Sequence, residues 1–207
     1  MTYAVQRGAR QYVILGAGLD TFAYRNPHSD LRVFEVDHPA TQIWKRQKLQ
    51  EAGISIPGSV AFVASDFGVQ DLVEQLRGAG FKSEVATFFS WLGVTQYLTR
   101  ETVLATLKLI ASLDVANGVV FDFALPRSSL DARNQPAFDA LAGRVRAVGE
   151  PFQAFFDPAL LDHELQGIGF RYIEDLDAGQ INSHYFENRD DELRVAGKLA
   201  RLMCAWS

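Results

Sequence analysis

The sequence predicts an α/β fold in which a parallel sheet is covered by helices on both faces. Short apolar runs rich in β-branched and aliphatic residues alternate with helix-forming segments. These runs are apolar at successive positions, which is expected of strands that are buried on both faces. With 207 residues, 48% of them hydrophobic and 22% charged, the chain is long enough to bury a sizeable core. We therefore expect residues 1–207 to form a single domain.

Each predicted element has a local signal. The five strands predicted first cover residues 11–15, 32–36, 60–64, 85–89 and 119–125. The three helices between them cover residues 40–52, 71–77 and 100–113. Pro39 suits the first turn of a helix, Gly53 ends that helix, and Thr99 can cap the helix that follows it.

The alternation changes after Pro126. Helices are predicted over residues 137–148 and 158–166, followed by a strand over 170–176. A helix over residues 190–198 is predicted to lead into a final strand over 199–206. We expect residues 126–170 to be a helical insertion that lines a substrate pocket. The aromatic cluster Phe152, Phe155 and Phe156 suits either such a pocket or core packing.

Composition excludes several classes of function. The chain has 20 basic and 25 acidic residues and a net charge of -5, with no basic cluster, so a nucleic-acid partner is not expected. A single cysteine, Cys204, excludes an internal disulfide and a cysteine-rich metal site. No run is apolar and long enough to cross a bilayer, and residues 1–10 lack the apolar core of a signal peptide. We expect a cytoplasmic protein with no metal and no membrane partner.

A glycine turn after the first strand indicates a nucleotide-type site. Gly16-Ala17-Gly18 ends the strand, and two acids, Glu35 and Asp37, lie about twenty residues further on at the end of the second strand. Such an acid can accept both hydroxyls of an adenosine ribose. The glycines alone are better explained by a tight turn, but the acid at this distance favours a cofactor.

The missing third glycine narrows the choice of cofactor. Thr21 stands where a dinucleotide fingerprint needs glycine, and no lysine follows as in a phosphate-binding loop. This counts against an NAD-dependent oxidoreductase and favours a nucleoside cofactor without phosphates, S-adenosyl-L-methionine. Two later strand ends fit that prediction. Asp66 suits an acceptor for the adenine amino group and Phe67 a ring that stacks on the adenine, but a turn and a core residue explain the pair equally well. Tyr97 suits a position near the transferred group, and the start of a helix explains it equally well.

Together these residues resemble the leucine carboxyl methyltransferase family. The matching stretches are Val13 to Thr21 with Tyr24-Arg25, Val33 to Pro39, Ser65-Asp66-Phe67, Trp91 to Leu98 and Val119 to Phe123. The resemblance implies a Rossmann-like, class I methyltransferase fold with a mostly parallel seven-stranded sheet whose last strand is antiparallel.

The resemblance also assigns roles by position. It implies cofactor binding by Gly16, Ala17, Gly18, Asp37, Asp66, Phe67 and Leu92, and it places Tyr97 near the methyl acceptor as the catalytic residue. Leu92 stands where members of the family usually carry a glutamate. Members also carry several dozen residues before the glycine strand, where ten precede it here. We therefore expect a form without the usual N-terminal cover, and apolar surface left in this way would favour a homodimer.

Three functions remain open at this point. The sequence favours an S-adenosyl-L-methionine-dependent O-methyltransferase that acts on a carboxylate or hydroxyl of a small molecule. The alternatives are a protein C-terminal carboxyl methyltransferase and a non-catalytic relative that binds a nucleoside or a partner. Calorimetry with S-adenosyl-L-methionine and S-adenosylhomocysteine separates them best: micromolar binding supports an enzyme, whereas no heat at millimolar ligand would contradict the predicted cofactor.

Overall fold

Strands and helices alternate along the chain, which is described here by a computed structural model for residues 1–65 and 72–207. The predicted α/β class is confirmed: the described residues contain a mostly parallel seven-stranded sheet with an antiparallel strand at its end. The chain divides into two compact units, residues 1–92 with 112–119 and residues 93–111 with 120–207. Among the described helices, none is long and apolar enough to span a lipid bilayer.

The first unit contains four parallel strands in the order β3-β2-β1-β4. Its elements are α1 (Thr2–Gln6), β1 (Gln11–Leu15), β2 (Arg32–Asp37), α2 (Pro39–Glu51), β3 (Val60–Ala64), α3 (Leu72–Gly78) and β4 (Thr87–Trp91). Every residue of β1 and of β4 is buried, as the continuous apolar runs predict for strands covered on both faces. An aromatic contact between Phe34 and Phe81, with ring centroids 5.7 Å apart, belongs to this core.

The second unit contains most of β5 (Gly118–Ala124), with β7 and β6 following it in the sheet. Its other elements are α4 (Arg100–Ala111), α5 (Gln135–Ala147), α6 (Pro158–Ile168), β6 (Tyr172–Leu176), α7 (Ala178–Tyr185) and β7 (Ala200–Trp206). β6 and β7 are antiparallel, with Tyr172 opposite Trp206 and Leu176 opposite Leu202. The predicted antiparallel last strand is therefore confirmed.

The prediction of a helix over residues 190–198 is wrong. The helix lies earlier, in α7, and begins with a capping box: the Asp177 carboxylate accepts from the Gln180 N–H at 2.9 Å, and the Gln180 side chain accepts from the Asp177 N–H at 3.0 Å. Residues 190–198 contain no helix because Glu192 has a left-handed φ of 53°. The Asn182 side chain also bonds to both the N–H and the carbonyl oxygen of Val195.

The fourth strand begins two residues later than predicted. Val85 belongs to a turn, since its N–H donates to the Lys82 carbonyl at 3.2 Å. The Gln11 side chain bonds to the carbonyl oxygen of Lys82 and to the Thr87 hydroxyl, and so holds this turn against the start of β1. Helix α1 was not predicted, whereas the cap predicted at Thr99 is confirmed by its 3.2 Å bond from the Thr102 N–H.

Candidate functional site

The carboxyl ends of the first unit's strands lie side by side. Residue pairing places Leu15 opposite Val36, and Asp37 opposite Ala64. On the other side of β1, Ile14 pairs with Ser90. The glycine turn therefore follows β1 at the edge where the neighbouring strands also end. Such an edge is where open α/β sheets bind their ligands.

The glycine turn has the backbone conformation that its sequence predicts. Gly16 and Gly18 have φ values of 71° and 42°, which residues other than glycine rarely adopt. The N–H groups of Gly16 and Ala17 donate to the Val36 carbonyl at 2.8 and 3.0 Å, which fixes the turn against β2. Among the described residues, a Cβ added to Gly18 would meet only the Gly16 oxygen, at 3.9 Å, so a ligand can approach this backbone closely.

Asp37 holds the glycine turn through its carboxylate. One oxygen accepts from the Gly18 N–H at 2.6 Å and the other from the His38 N–H at 2.7 Å. Each carboxylate oxygen has two lone pairs and accepts one hydrogen bond from the described residues, which leave a further acceptor site on each oxygen. The structure thus brings together four of the predicted residues, Gly16, Ala17, Gly18 and Asp37, and leaves Asp37 able to accept two hydroxyl groups.

The remaining predicted residues are placed differently. Leu92 directly follows β4 and is 51% exposed, and its side chain has no polar group to contribute to a site. Asp66 and Phe67 lie outside the described residues. Tyr97 lies in the second unit, at the end of the short 3-10 turn Thr95–Tyr97. The roles assigned to all these residues stay predictions.

The two acids of the second strand have different environments. Glu35 is 1% exposed and forms an ion pair with Lys45, 2.8 Å away and itself 3% exposed. The Tyr24 hydroxyl also donates to Glu35, at 3.1 Å. Burial raises the pKa of Glu35, and the opposing effects of Lys45 and Tyr24 are smaller. Glu35 is therefore a structural residue, and Asp37 is the acid that meets the glycine turn.

An acid that sequence reasoning missed supports the turn containing Tyr97. The Asp122 carboxylate in β5 accepts from the Gly93 N–H at 2.7 Å. The main-chain carbonyl oxygen of Asp122 accepts from the Thr95 hydroxyl. Burial raises the pKa of Asp122 above its ordinary value, although the Gly93 bond opposes this. The signal in the sequence was a single charged residue between Phe121 and Phe123 in an otherwise apolar strand.

Replacing Asp122 with alanine is expected to lower the free energy of unfolding by about 2 kcal/mol, because the Gly93 N–H loses a charged acceptor. Asp122→Asn is the matched control, since it keeps an acceptor oxygen, and it should cost less than half as much. Urea denaturation followed by circular dichroism measures both. Equal losses for the two variants would show that the bond to Gly93 is unimportant.

The segment before α6 is bonded to the same turn. The Gln153 N–H donates to the Gln96 carbonyl at 2.7 Å, and the Gln153 side chain donates to the Tyr97 carbonyl at 2.5 Å. The Tyr97 and Phe152 rings are in contact, with centroids 5.5 Å apart. The aromatic cluster after Pro151 divides accordingly: Phe156 is 2% exposed and packs in the core, whereas Phe152 and Phe155 are half-buried.

Comparisons with known proteins identify relatives of this chain. The candidate S-adenosyl-L-methionine-dependent methyltransferase YktD of Bacillus subtilis (strain 168) is 40% identical over 189 residues, which are 90% of this chain and 62% of YktD. A candidate methyltransferase of the same description from Mycobacterium ulcerans (strain Agy99) is 33% identical over 146 residues, or 70% of this chain and 46% of the relative. The chain thus spans less than two thirds of the length of these relatives.

A solved structure and a family model complete the comparison. An O-methyltransferase family protein from Burkholderia thailandensis matches with a TM-score of 0.62 at 14% identity, covering 98% of this chain and 52% of that protein. At this identity the match shows the fold alone, and it confirms the Rossmann-like prediction. A family model for leucine carboxyl methyltransferase matches residues 1–111. Because this match covers more than half of the chain, the chain belongs to the leucine carboxyl methyltransferase family.

Proposed function

We propose that the chain binds S-adenosyl-L-methionine at the glycine turn and transfers its methyl group to a carboxylate or hydroxyl oxygen of a small molecule. The observation that carries this proposal is the bond between the Asp37 carboxylate and the Gly18 N–H at the ends of β1 and β2. The relatives YktD and the M. ulcerans protein, both described as methyltransferases that depend on this cofactor, support it.

The residues present suit this cofactor. Asp37 keeps two acceptor sites for the ribose hydroxyls, and the open backbone at Gly18 admits the part of the cofactor next to the ribose. Thr21, in place of a third glycine, does not suit a pyrophosphate. When bound, the sulfonium group supplies an activated methyl for in-line displacement, so the protein mainly has to align the acceptor and exclude water.

The acceptor decides whether a base is needed. A carboxylate is already ionised at neutral pH and can take the methyl group without losing a proton, whereas a hydroxyl must lose one. We assign Tyr97 to orienting the acceptor oxygen through its hydroxyl, with no obligatory base. The support is its place in a turn that Asp122 and Gln153 both hold.

The experiment that tests the proposed function uses cofactor carrying a labelled methyl group. The chain is incubated with it and with small carboxylic acids, small alcohols or phenols, and peptides that end in leucine. Label in a small molecule supports the proposal, and alkaline hydrolysis then distinguishes a methyl ester from an ether. Label only in the peptides favours the protein methyltransferase. Cofactor binding measured by calorimetry, without transfer to any class, favours the non-catalytic relative.

Tyr97→Phe is expected to lower kcat about 10-fold, the value of one orienting hydrogen bond, and to leave the cofactor Kd unchanged. Steady-state kinetics with the best acceptor and calorimetry with the cofactor measure the two effects. Tyr185→Phe is the control, because Tyr185 is 62% exposed in α7 and has no proposed role. The role assigned to Tyr97 is wrong if both variants turn over at the wild-type rate.

A further inference from the structure

A cavity of about 570 Å³ lies in the second unit. Its walls come from the start of the segment after β5, one face of α5, and the segment that precedes α6. The residues that matter for its chemistry are Arg127, Phe138, Arg146, Phe152 and Phe155. Its volume is in the range of about 300–1,000 Å³ that is typical of small-molecule sites.

Aromatic rings form one continuous surface in this cavity. The centroids of Phe138 and Phe155 are 5.7 Å apart, and those of Phe155 and Phe152 are 6.5 Å apart at an interplanar angle of 83°. Phe152 in turn contacts Tyr97. Phe152 and Phe155 stay half-buried although phenylalanine normally fills the core, so part of each ring is available to a ligand. This surface suits the apolar body of an aromatic or aliphatic molecule.

Of the two arginines that line the cavity, one has its charge paired with a carboxylate of the described residues and the other does not. Arg127 donates from Nε and Nη2 to the two oxygens of Asp139, at 2.7 and 2.9 Å, so its charge is compensated. Arg146 is exposed, and within the described parts of the chain no carboxylate lies within 4 Å of its guanidinium. The cavity therefore has one uncompensated positive charge beside an aromatic surface. A guanidinium binds a carboxylate through two parallel hydrogen bonds.

We propose that this cavity binds small carboxylic acids with an aromatic or aliphatic body, whose rings pack on Phe152 and Phe155 and whose carboxylate pairs with Arg146. Identifying this ligand as the methyl acceptor rests on the proposed function; the binding of the acid does not. Methylation at the carboxylate forms an oxygen–methyl bond and breaks the sulfonium–methyl bond of the cofactor. The resulting ester has lost the charge that Arg146 pairs with, so it should bind more weakly than the acid.

The probe is 4-phenylbutyrate, and its amide is the uncharged comparison. Calorimetry without cofactor should show the acid binding about 10-fold more tightly than the amide, since one charged pair is made only with the acid. Arg146→Gln should remove this preference. The matched control is Arg144→Gln, which removes an arginine from the same last turn of α5 at a position that does not line the cavity. Phe155→Ala should weaken both ligands together.

Each outcome of the calorimetry decides the proposal. A preference for the acid that is lost in Arg146→Gln and kept in Arg144→Gln supports it. Equal affinities for acid and amide, equal effects of the two arginine variants, or no binding of either ligand by the wild type would overturn it. If the acid binds in this way but is not methylated when cofactor is added, the site stands and its identification with the acceptor is wrong. If methylation occurs with no dependence on Arg146, the proposed function stands and the site does not.

Discussion

Asp37→Ala is expected to weaken S-adenosyl-L-methionine binding at least about 100-fold. The carboxylate accepts hydrogen bonds from the N–H groups of Gly18 and His38 and is proposed to hold the ribose. A hydrogen bond to a charged group contributes about 1.5–3 kcal/mol. The variant therefore loses both the ligand's acceptor and the group that fixes the turn. Calorimetric titration with the cofactor and with S-adenosylhomocysteine measures the loss.

Two further variants separate binding from folding. Asp37→Asn keeps one acceptor oxygen but presents an amide group to the other N–H donor, so its affinity should fall between those of the wild type and Asp37→Ala. Asp30→Ala removes an exposed acid from the loop before β2 and should leave the affinity unchanged. Far-ultraviolet circular dichroism establishes whether each variant is folded. A folded Asp37→Ala variant that binds within 3-fold of the wild type would contradict both the proposed ribose contact and the proposed site.

The glycine turn and Asp37 were predictable because they depend on local signals. A buried run ending in glycines implies a turn at a strand end, and parallel strands that end together bring the acid of the next strand beside it. The side chain of Glu35 was not predictable in the same way. Its sequence position resembles that of Asp37, and only the packing of α2 shows that Lys45 covers it.

Long-range contacts also explain the errors in the second unit. Residues 190–198 are charged and rich in helix formers, yet Asn182 binds the backbone of Val195, thirteen residues away. The capping box at Asp177 was a readable signal for α7, because aspartate followed three residues later by glutamine is typical of a helix start. The cavity beside Arg146 has no sequence signature, because α5 and the segment before α6 meet only in the folded chain.

The buried pair of Glu35 and Lys45 should have the largest effect on stability. Lys45→Met is expected to lower the free energy of unfolding by about 3–5 kcal/mol at neutral pH, because it leaves Glu35 buried without its counter-ion. Lys48→Met is the matched control on the same helix. Its ion pair with Glu51 is about half exposed on both sides and screened by water, so its loss should destabilise the protein far less than Lys45→Met does.

The destabilisation of Lys45→Met should depend on pH in a direction that follows from the pKa of Glu35. Burial already raises that pKa in the folded protein, and removing the Lys45 ammonium raises it further. An acid whose pKa is higher in the folded than in the unfolded state favours folding at low pH, and this contribution is lost as the pH rises through the folded-state value. The shift is larger in the variant, so the difference in unfolding free energy between wild type and variant should shrink from about pH 8 to about pH 5. Adding Glu35→Gln to Lys45→Met should recover much of the stability at neutral pH, because an uncharged side chain then occupies the site. A difference that is constant with pH, or that Glu35→Gln leaves unchanged, would show that an unpaired Glu35 is not the cause.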